Sequence, residues 1–218
     1  MRNWDRSRVG RSEPLVFLIA LDSSACGSES NEVPIDESTT SGPAVSTTTN
    51  ASVFADDIPV AFTPEGGWSN TWPDPILSTC TEPLVDGAPD LRGMWRVIEV
   101  TDDAGARLPQ HNALGHFQRI EQCGDRLVVT AGGVIHDMRC DGTEAHGVHD
   151  VAEFDKRTPI DVVATYEDAV HVLRPVGLPI EVKRWREGEH AVWKYLGFTA
   201  RMELVGPPEI DPATLKET

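Results

Sequence analysis

The sequence predicts an all-β fold, an antiparallel up-and-down β-barrel of about ten strands that follows a disordered N-terminal tether. From residue 91 onward, short extended segments alternate with turn residues at a spacing of roughly 8–12 residues, and the helical period of 3.6 residues is almost absent. A meander of this many strands protects its edges best by closing on itself. A two-sheet sandwich is the alternative architecture.

The expected strands are separated by Gly, Pro, Asn or Asp, the residues that favour turns. They comprise 91–100, 116–123, 126–131, 134–139, 146–154, 160–167, 170–174, 180–186, 190–196 and 199–205. The first is followed by a polar, Gly- and Pro-containing connection at 101–115. Gly206-Pro207-Pro208 ends the last strand, since Pro cannot donate to a β-ladder. The barrel domain is therefore expected to span 91–208, with a tail at 209–218.

The first 26 residues have the order of features of an export signal. Four arginines precede the apolar run 15–21, and the small residues Ser23-Ser24-Ala25 come directly before Cys26. A Cys in this position resembles the cleavage box of bacterial lipoproteins, in which the thiol is acylated. We therefore expect an exported protein, anchored to a membrane by a lipid on Cys26 at the cell surface or in the periplasm. A plain secretory signal, or no signal at all, are the alternatives.

Two segments separate the signal from the barrel. Residues 27–65 are rich in Ser, Thr and acidic side chains, which predicts a disordered linker. Residues 66–90 contain Trp68, Trp72 and Cys80, which indicates an irregular arm that packs on the barrel. The formal net charge is −16, and residues 27–90 contain no Lys or Arg. This charge argues against nucleic acid and anionic lipid surfaces as partners, so membrane contact is expected only through the lipid.

Three further cysteines are present: Cys80 in the arm, Cys123 at the end of one expected strand and Cys140 directly after another. In an oxidising compartment the simplest arrangement is one disulfide and one free thiol. The sequence leaves all three pairings open. No Cys-x-x-Cys spacing is present, which argues against a zinc knuckle.

The opening of the first strand, Asp90-Leu91-Arg92-Gly93-Met94-Trp95, resembles the Gly-x-Trp motif of the lipocalin and fatty-acid-binding families, together called calycins. The turn at Gly124-Asp125 is similar to the second hairpin of the ten-stranded fatty-acid-binding branch. This resemblance implies a barrel that binds an apolar or amphipathic, fatty-acid-like molecule, with Trp95 closing one end. It also implies an inward Arg on the last strand for a carboxylate. Arg201 matches that Arg, and Glu203 stands where the family has Tyr.

Six side chains are expected to contact the ligand. Trp193 and Tyr195 share one face of a strand because strand side chains alternate, and a single His is a plausible polar anchor in a cavity. The predicted set is Trp95, His136, Tyr166, Trp193, Tyr195 and Arg201. The aromatic residues have an alternative role as core filling, which is the common situation in small barrels.

The His-rich segment 136–149 suggests two other chemistries. His136, His146 and His149 are possible nitrogen ligands for a metal or haem, although His146 and His149 would face opposite sides of a strand. His136 and Asp137 are a possible base and orienter for an isomerase or cyclase, but no nucleophile signature accompanies them. We therefore predict no catalytic residue, no metal and no cofactor. The expected function is that of a monomeric, lipid-anchored binding protein; an enzyme and a filled interaction barrel are the alternatives.

Overall fold

The computed structural model describes residues 52–69 and 71–215, and it consists almost entirely of antiparallel β-structure. The strands are β1 (Gly93–Asp102), β2 (Phe117–Cys123), β3 (Arg126–Ala131), β4 (Val134–Arg139), β5 (Val148–Val151), β6 (Pro159–Glu167), β7 (Val170–Pro175), β8 (Val182–Glu187), β9 (His190–Tyr195) and β10 (Phe198–Gly206). Three one-turn 3₁₀-helices lie at Ala55–Asp57, Glu144–His146 and Pro212–Thr214. Among the described residues, no helix has the length and apolar character required to cross a bilayer.

The strands form one sheet in the order β4-β3-β2-β1-β10-β9-β8-β7-β6-β5. Each strand pairs with its neighbour in the chain except at β4 and β5, and the first strand pairs with the last. The two free edges, β4 and β5, lie side by side and contact each other without a β-ladder. The prediction of a ten-stranded, up-and-down antiparallel barrel is therefore confirmed, and the barrel is nearly closed.

The interior contains the alternate side chains of all ten strands, as the period of two requires. Its apolar part is one continuous cluster, which includes Val97, Ile120, Leu127, Val129, Met138, Val148, Val162, Ala164, Leu173, Val182, Ala191, Trp193, Ala200 and Met202. A small bulge in β1 places Ile98 outside and returns Val100 to the interior.

Trp95 closes one end of the barrel. Its side chain is fully buried, and its indole N–H donates a hydrogen bond to the carbonyl of Leu91 at 2.7 Å. The guanidinium of Arg186 lies over the Trp95 ring, 4.8 Å from its centroid. Gly93 adopts φ +150°, and a Cβ there would meet Leu204 and the carbonyl of Gly206. The Gly-x-Trp motif thus combines a close backbone approach with a plug, as predicted.

The other end is covered by the connection between β1 and β2. Leu108, Ala113 and Leu114 pack on the interior cluster, and the His111 ring contacts that of Phe198 at a centroid distance of 4.4 Å. Successive turns, in which the amides of His111 and Leu114 donate to carbonyls three residues earlier, keep this connection compact. Both ends of the barrel are therefore closed by side chains.

The outer face of β2, β3 and β4 is covered by residues 52–69 and 71–90. This second apolar layer consists of Ala55, Ile58, Ala61, Trp68, Ile76, Leu77, Cys80, Cys123, Val128 and Ile135. A disulfide joins Cys80 to Cys123, and Cys140 is a buried free thiol. The arm predicted at 66–90 therefore begins earlier. Residues 52–65, which the sequence assigns to a disordered linker, lie on the barrel because Ala55, Ile58 and Ala61 bury apolar surface there.

A buried ion pair joins this layer to the sheet. Arg126 contacts both carboxylate oxygens of Asp137 at 2.8 and 2.7 Å, and the two side chains are 3% and 2% exposed. The same guanidinium donates to the carbonyls of Ala55, Ile58 and Pro59. One cation thus satisfies three backbone acceptors of the arm and one carboxylate of β4.

We predict that Arg126→Met destabilises the fold by about 3–5 kcal/mol, because it leaves the Asp137 carboxylate buried without its partner. The measurement is the free energy of unfolding in urea. Arg96→Met is the matched control, since the Arg96–Glu203 pair is 43% and 34% exposed and such pairs contribute roughly 0–1 kcal/mol. Equal losses in the two variants would contradict the assigned role of Arg126.

Candidate functional site in the barrel interior

Three polar side chains lie side by side in the barrel interior. His171 on β7 is directly opposite Arg184 on β8, and Arg184 is directly opposite Trp193 on β9. We call these three residues the polar row. His171 is 0% exposed and Arg184 6%. Tyr166 on β6 continues the row, since it is the cross-strand partner of His171.

The polar row has few hydrogen-bond partners. Arg184 donates through Nε to the Gln118 side chain at 3.3 Å, and its guanidinium lies 5.7 Å from the centroid of the Trp193 ring. The Nη1 of Arg184, both ring nitrogens of His171 and the indole nitrogen of Trp193 have no partner. Native proteins rarely leave buried polar groups unpaired, because each costs about 1–3 kcal/mol. Several such atoms in one place indicate a site that accepts a polar group.

Burial determines the charges in this row. Burial lowers the pKa of Arg184 to about 10, so the guanidinium is still cationic at neutral pH. Burial, and then the positive charge of Arg184, holds the pKa of His171 well below its usual range. His171 is therefore neutral and offers one donor and one acceptor. No carboxylate of the described residues forms a salt bridge with Arg184; Glu153 acts on it only through a longer-range attraction.

A second interior network is fully hydrogen-bonded. The Gln122 amide donates to the Tyr166 hydroxyl and to the carbonyl of Pro89, both at 3.0 Å, and its oxygen accepts from the amide of Leu91. Burial raises the pKa of the nearby Cys140 thiol to about 12 and also raises the pKa of Tyr166. Cys140 is therefore a neutral thiol, which excludes a thiolate nucleophile at neutral pH.

The structure places the predicted aromatic residues in or near the interior. Trp193 belongs to the polar row, and Tyr166 bridges the two polar networks. Tyr195 is half-buried and stacks on Trp193 at a centroid distance of 6.2 Å. Trp95 forms the end plug, and its N–H is already bonded to Leu91.

The prediction of an inward Arg201 is wrong. Ala200 and Met202 point into the barrel, so alternation directs Arg201 outward, where it is exposed and contacts the ring of His190 at 3.1 Å. Glu203 does not neutralise Arg201, because it pairs with Arg96. The interior arginine is Arg184. The sequence signal for Arg184 is the segment Val182-Lys183-Arg184. Val182 faces the interior, and residues two apart on a strand share a face, so Arg184 faces the interior as well.

His136 also lies at the barrel wall, but not beside a catalytic partner. Its Nε2 donates to the carbonyl of Val151 at 3.0 Å, and burial lowers its pKa. Asp137 points to the opposite face and binds Arg126. The suggested base and orienter therefore do not meet, because adjacent strand residues face opposite sides.

The three histidines considered as metal ligands do not converge. His146 pairs with Asp141 and His149 with Asp161, and both histidine side chains are exposed. Among the described residues, the only close group of potential ligands is Cys80, Glu82 and Cys123, and its two cysteines form the disulfide.

Two cavities of the described chain lie outside the barrel wall. One, of about 310 Å³, separates residues 55–62 from β4 and the start of β5. The other is a wide depression beside Arg174 and residues 178–181.

Comparisons with known proteins identify similarity at the level of structure. No family model and no curated protein matches the sequence. Among solved structures, the chain is similar to one titled human cRBP IV, a cellular retinol-binding protein, with 16% sequence identity and a TM-score of 0.41. The match covers 53% of this chain and 98% of that protein.

We predict that acid destabilises the protein partly through His171. The folded state keeps this imidazole neutral, whereas the unfolded chain protonates it below about pH 6.5. The free energy of unfolding is therefore unaffected by His171 above that pH and declines as the pH falls. The decline from this one residue is up to about 2 kcal/mol between pH 7 and pH 5. His171→Gln should reduce this loss, measured as the free energy of unfolding in urea at each pH.

His149→Gln is the control with the opposite sign. The hydrogen bond to Asp161 raises the pKa of His149, so this pair stabilises the fold at acid pH. Its removal should make the decline between pH 7 and pH 5 slightly steeper. A His171→Gln variant with the same pH dependence as wild type would contradict a neutral, buried His171.

Proposed function

We propose that the barrel binds a small amphipathic molecule whose anionic head group pairs with Arg184. The observation that carries this proposal is a buried guanidinium that forms no salt bridge with any described residue, beside further unpaired polar atoms of His171 and Trp193. The fold resembles a lipid-binding calycin barrel in its strand arrangement, which supports an apolar ligand class.

Electrostatics favours a carboxylate or a similar oxyanion as this head group. Burying an unpaired charge costs several kcal/mol, and a partner with two oxygens can satisfy a guanidinium at two nitrogens. The indole N–H of Trp193 and one nitrogen of His171 supply further donors. The surrounding Ala164, Ala191 and Met202 are apolar and suit a short hydrocarbon tail.

A filled interaction barrel is the second candidate function. It is favoured by the two cavities described above, which both lie outside the barrel wall. In that case the polar row would belong to a core that binds no ligand, and the outer surface of the barrel would bind a partner. Ligand binding to the interior decides between the two.

We predict that the protein binds octanoate more tightly than 1-octanol, and that Arg184→Met removes this preference. A charge-assisted hydrogen bond contributes about 1.5–3 kcal/mol, so octanoate affinity should fall roughly 10- to 100-fold. Titration calorimetry measures the affinities, and quenching of tryptophan fluorescence checks them. Arg201→Met is the matched control, and its affinity should equal that of wild type.

Two results would count against an anion site in the barrel. Equal affinity for the acid and the alcohol in wild type would remove the role of the charge. Absence of binding across a series of acids from butanoate to dodecanoate would favour the filled barrel.

We also propose that the protein acts outside the cytoplasm as a monomer, anchored by a lipid on Cys26. The order of basic, apolar and small residues before Cys26 supports export. The Cys80–Cys123 disulfide supports an oxidising compartment, since cytosolic proteins rarely keep such bonds.

We predict that Cys26→Ser transfers the protein from the membrane fraction to the soluble fraction. Intact mass of the wild-type protein should show loss of residues 1–25 and addition of acyl chains at the new N-terminus. An unmodified mass after cleavage would indicate a plain secretory signal, and an uncleaved chain would contradict export.

A further inference from the structure

The barrel has one seam without a β-ladder, between β4 and β5. Within the described chain, every other pair of neighbouring strands in the barrel is joined by backbone hydrogen bonds. At the seam, a side chain supplies the link: the His136 Nε2 donates to the carbonyl of Val151 at 3.0 Å. A sheet edge held by side chains opens more easily than a ladder, because fewer bonds must break together.

Residues 58–63, which we call the strap, lie across this seam and bind both of its edges. The Thr63 amide donates to the Asp150 carboxylate on β5 at 2.8 Å. The Thr63 hydroxyl accepts from the amide of Ile135 on β4 at 2.9 Å, and the Ala61 amide donates to Asp137, also on β4, at 2.9 Å. The strap itself has no regular secondary structure.

A cleft of about 310 Å³ lies between the strap and the outer side of the seam. Met138 lines this cleft and also belongs to the interior apolar cluster. Methionine is unbranched and adopts many conformations, so a change in its rotamer can connect the cleft with the interior. Val60 and Phe62 of the strap also line the cleft, and they are 57% and 62% exposed.

The ends of the barrel offer no comparable opening. Trp95 and Leu91 are fully buried at one end, and the connection 103–116 packs on the interior cluster at the other. A ligand that reaches Arg184 must therefore pass a closed end or the seam. The seam needs the fewest backbone bonds to break.

We propose that the strap is a releasable closure over a lateral entrance to the barrel, located between β4 and β5. The proposal rests on the proposed function, because it assigns the route by which a ligand reaches the polar row. When the strap lifts from Asp150 and Ile135, the cleft floor at Met138 becomes the passage. The strap therefore sets the rates of ligand entry and exit, but not the affinity.

Cys140 provides a test that needs no ligand. It is buried, follows Met138 by two residues on the same face and is the free thiol of the described chain. Its rate of alkylation by iodoacetamide, without reductant and quantified on the Cys140 peptide by mass spectrometry, reports opening of the seam. The full chain with its disulfide intact is used throughout.

Thr63→Ala and Asp150→Ala should each accelerate alkylation of Cys140 about fivefold, and the double variant by more than about tenfold. Thr81→Ala is the matched control. Its hydroxyl accepts from the Val53 amide at 3.0 Å and donates to the Val53 carbonyl, the bonding pattern that Thr63 has with Ile135, but away from the seam. This variant should react at the wild-type rate.

Urea separates local opening from global unfolding. Local opening exposes little surface, so its rate depends weakly on urea, whereas global unfolding depends on it steeply. Acceleration that grows steeply with urea, or that is equal in the Thr63→Ala and Thr81→Ala variants, would overturn the strap proposal.

Ligand kinetics distinguish failure of the strap from failure of the proposed function. With octanoate, the double variant should raise the association and dissociation rate constants by the same factor and keep Kd within about twofold of wild type. Unchanged rate constants with intact binding would overturn the strap alone. If wild type binds no acid, the proposed function fails, and faster alkylation of Cys140 still establishes a strap over the seam.

Discussion

The free edges of the sheet are the constraint on which the rest of this structure depends. Joining the first strand to the last leaves β4 and β5 as the two edges, and these lie in the middle of the chain. Exposed edges invite pairing with other chains, so they must be covered. Here the N-terminal arm covers β4, and the Arg126–Asp137 pair with three arm carbonyls fixes it there. The same arm supplies the strap, so protection of the edge and control of the seam come from one segment.

Much of the fold follows from local sequence signals. The predicted strands at 126–131, 134–139 and 190–196 agree with β3, β4 and β9 within one residue, because turn residues and period-two alternation specify them. The Gly93-x-Trp95 opening predicted the plug correctly. By contrast, the contact of 52–65 with β4 combines a few small apolar residues with backbone groups that bond to Arg126 and Asp137. Backbone groups are the same in every residue, so this contact has little local signal in the arm.

The candidate site was harder to predict for a related reason. Side chains of a strand face inward and outward in alternation. If the alternation is placed one residue off, every predicted direction in that strand is reversed. The family resemblance predicts an inward Arg201, whereas the alternation of the buried residues Ala200 and Met202 directs Arg201 outward. Arg184 and His171 alternate with outward-facing residues, so their inward direction can be read from the sequence. Their lack of hydrogen-bond partners cannot, because it depends on which residues the fold brings near them. The Cys80–Cys123 pairing could likewise not be predicted from the sequence, because it depends on the path that the arm takes across β2.

The unpaired state of the polar row bears on the choice between a carrier and a filled barrel. Replacing a buried charge by a packed apolar side chain is often neutral or stabilising, so a barrel that served only as a scaffold would gain by losing Arg184. Tyr166 and Gln122, in the same interior, show that this core can satisfy its polar groups completely. Of the buried polar atoms without a partner in the described residues, four lie on His171, Arg184 and Trp193, which are cross-strand neighbours on β7, β8 and β9; the other three lie on Arg119, Glu121 and Glu153. The concentration of unpaired atoms on three neighbouring residues supports the proposed binding site, in which the missing partner belongs to the ligand.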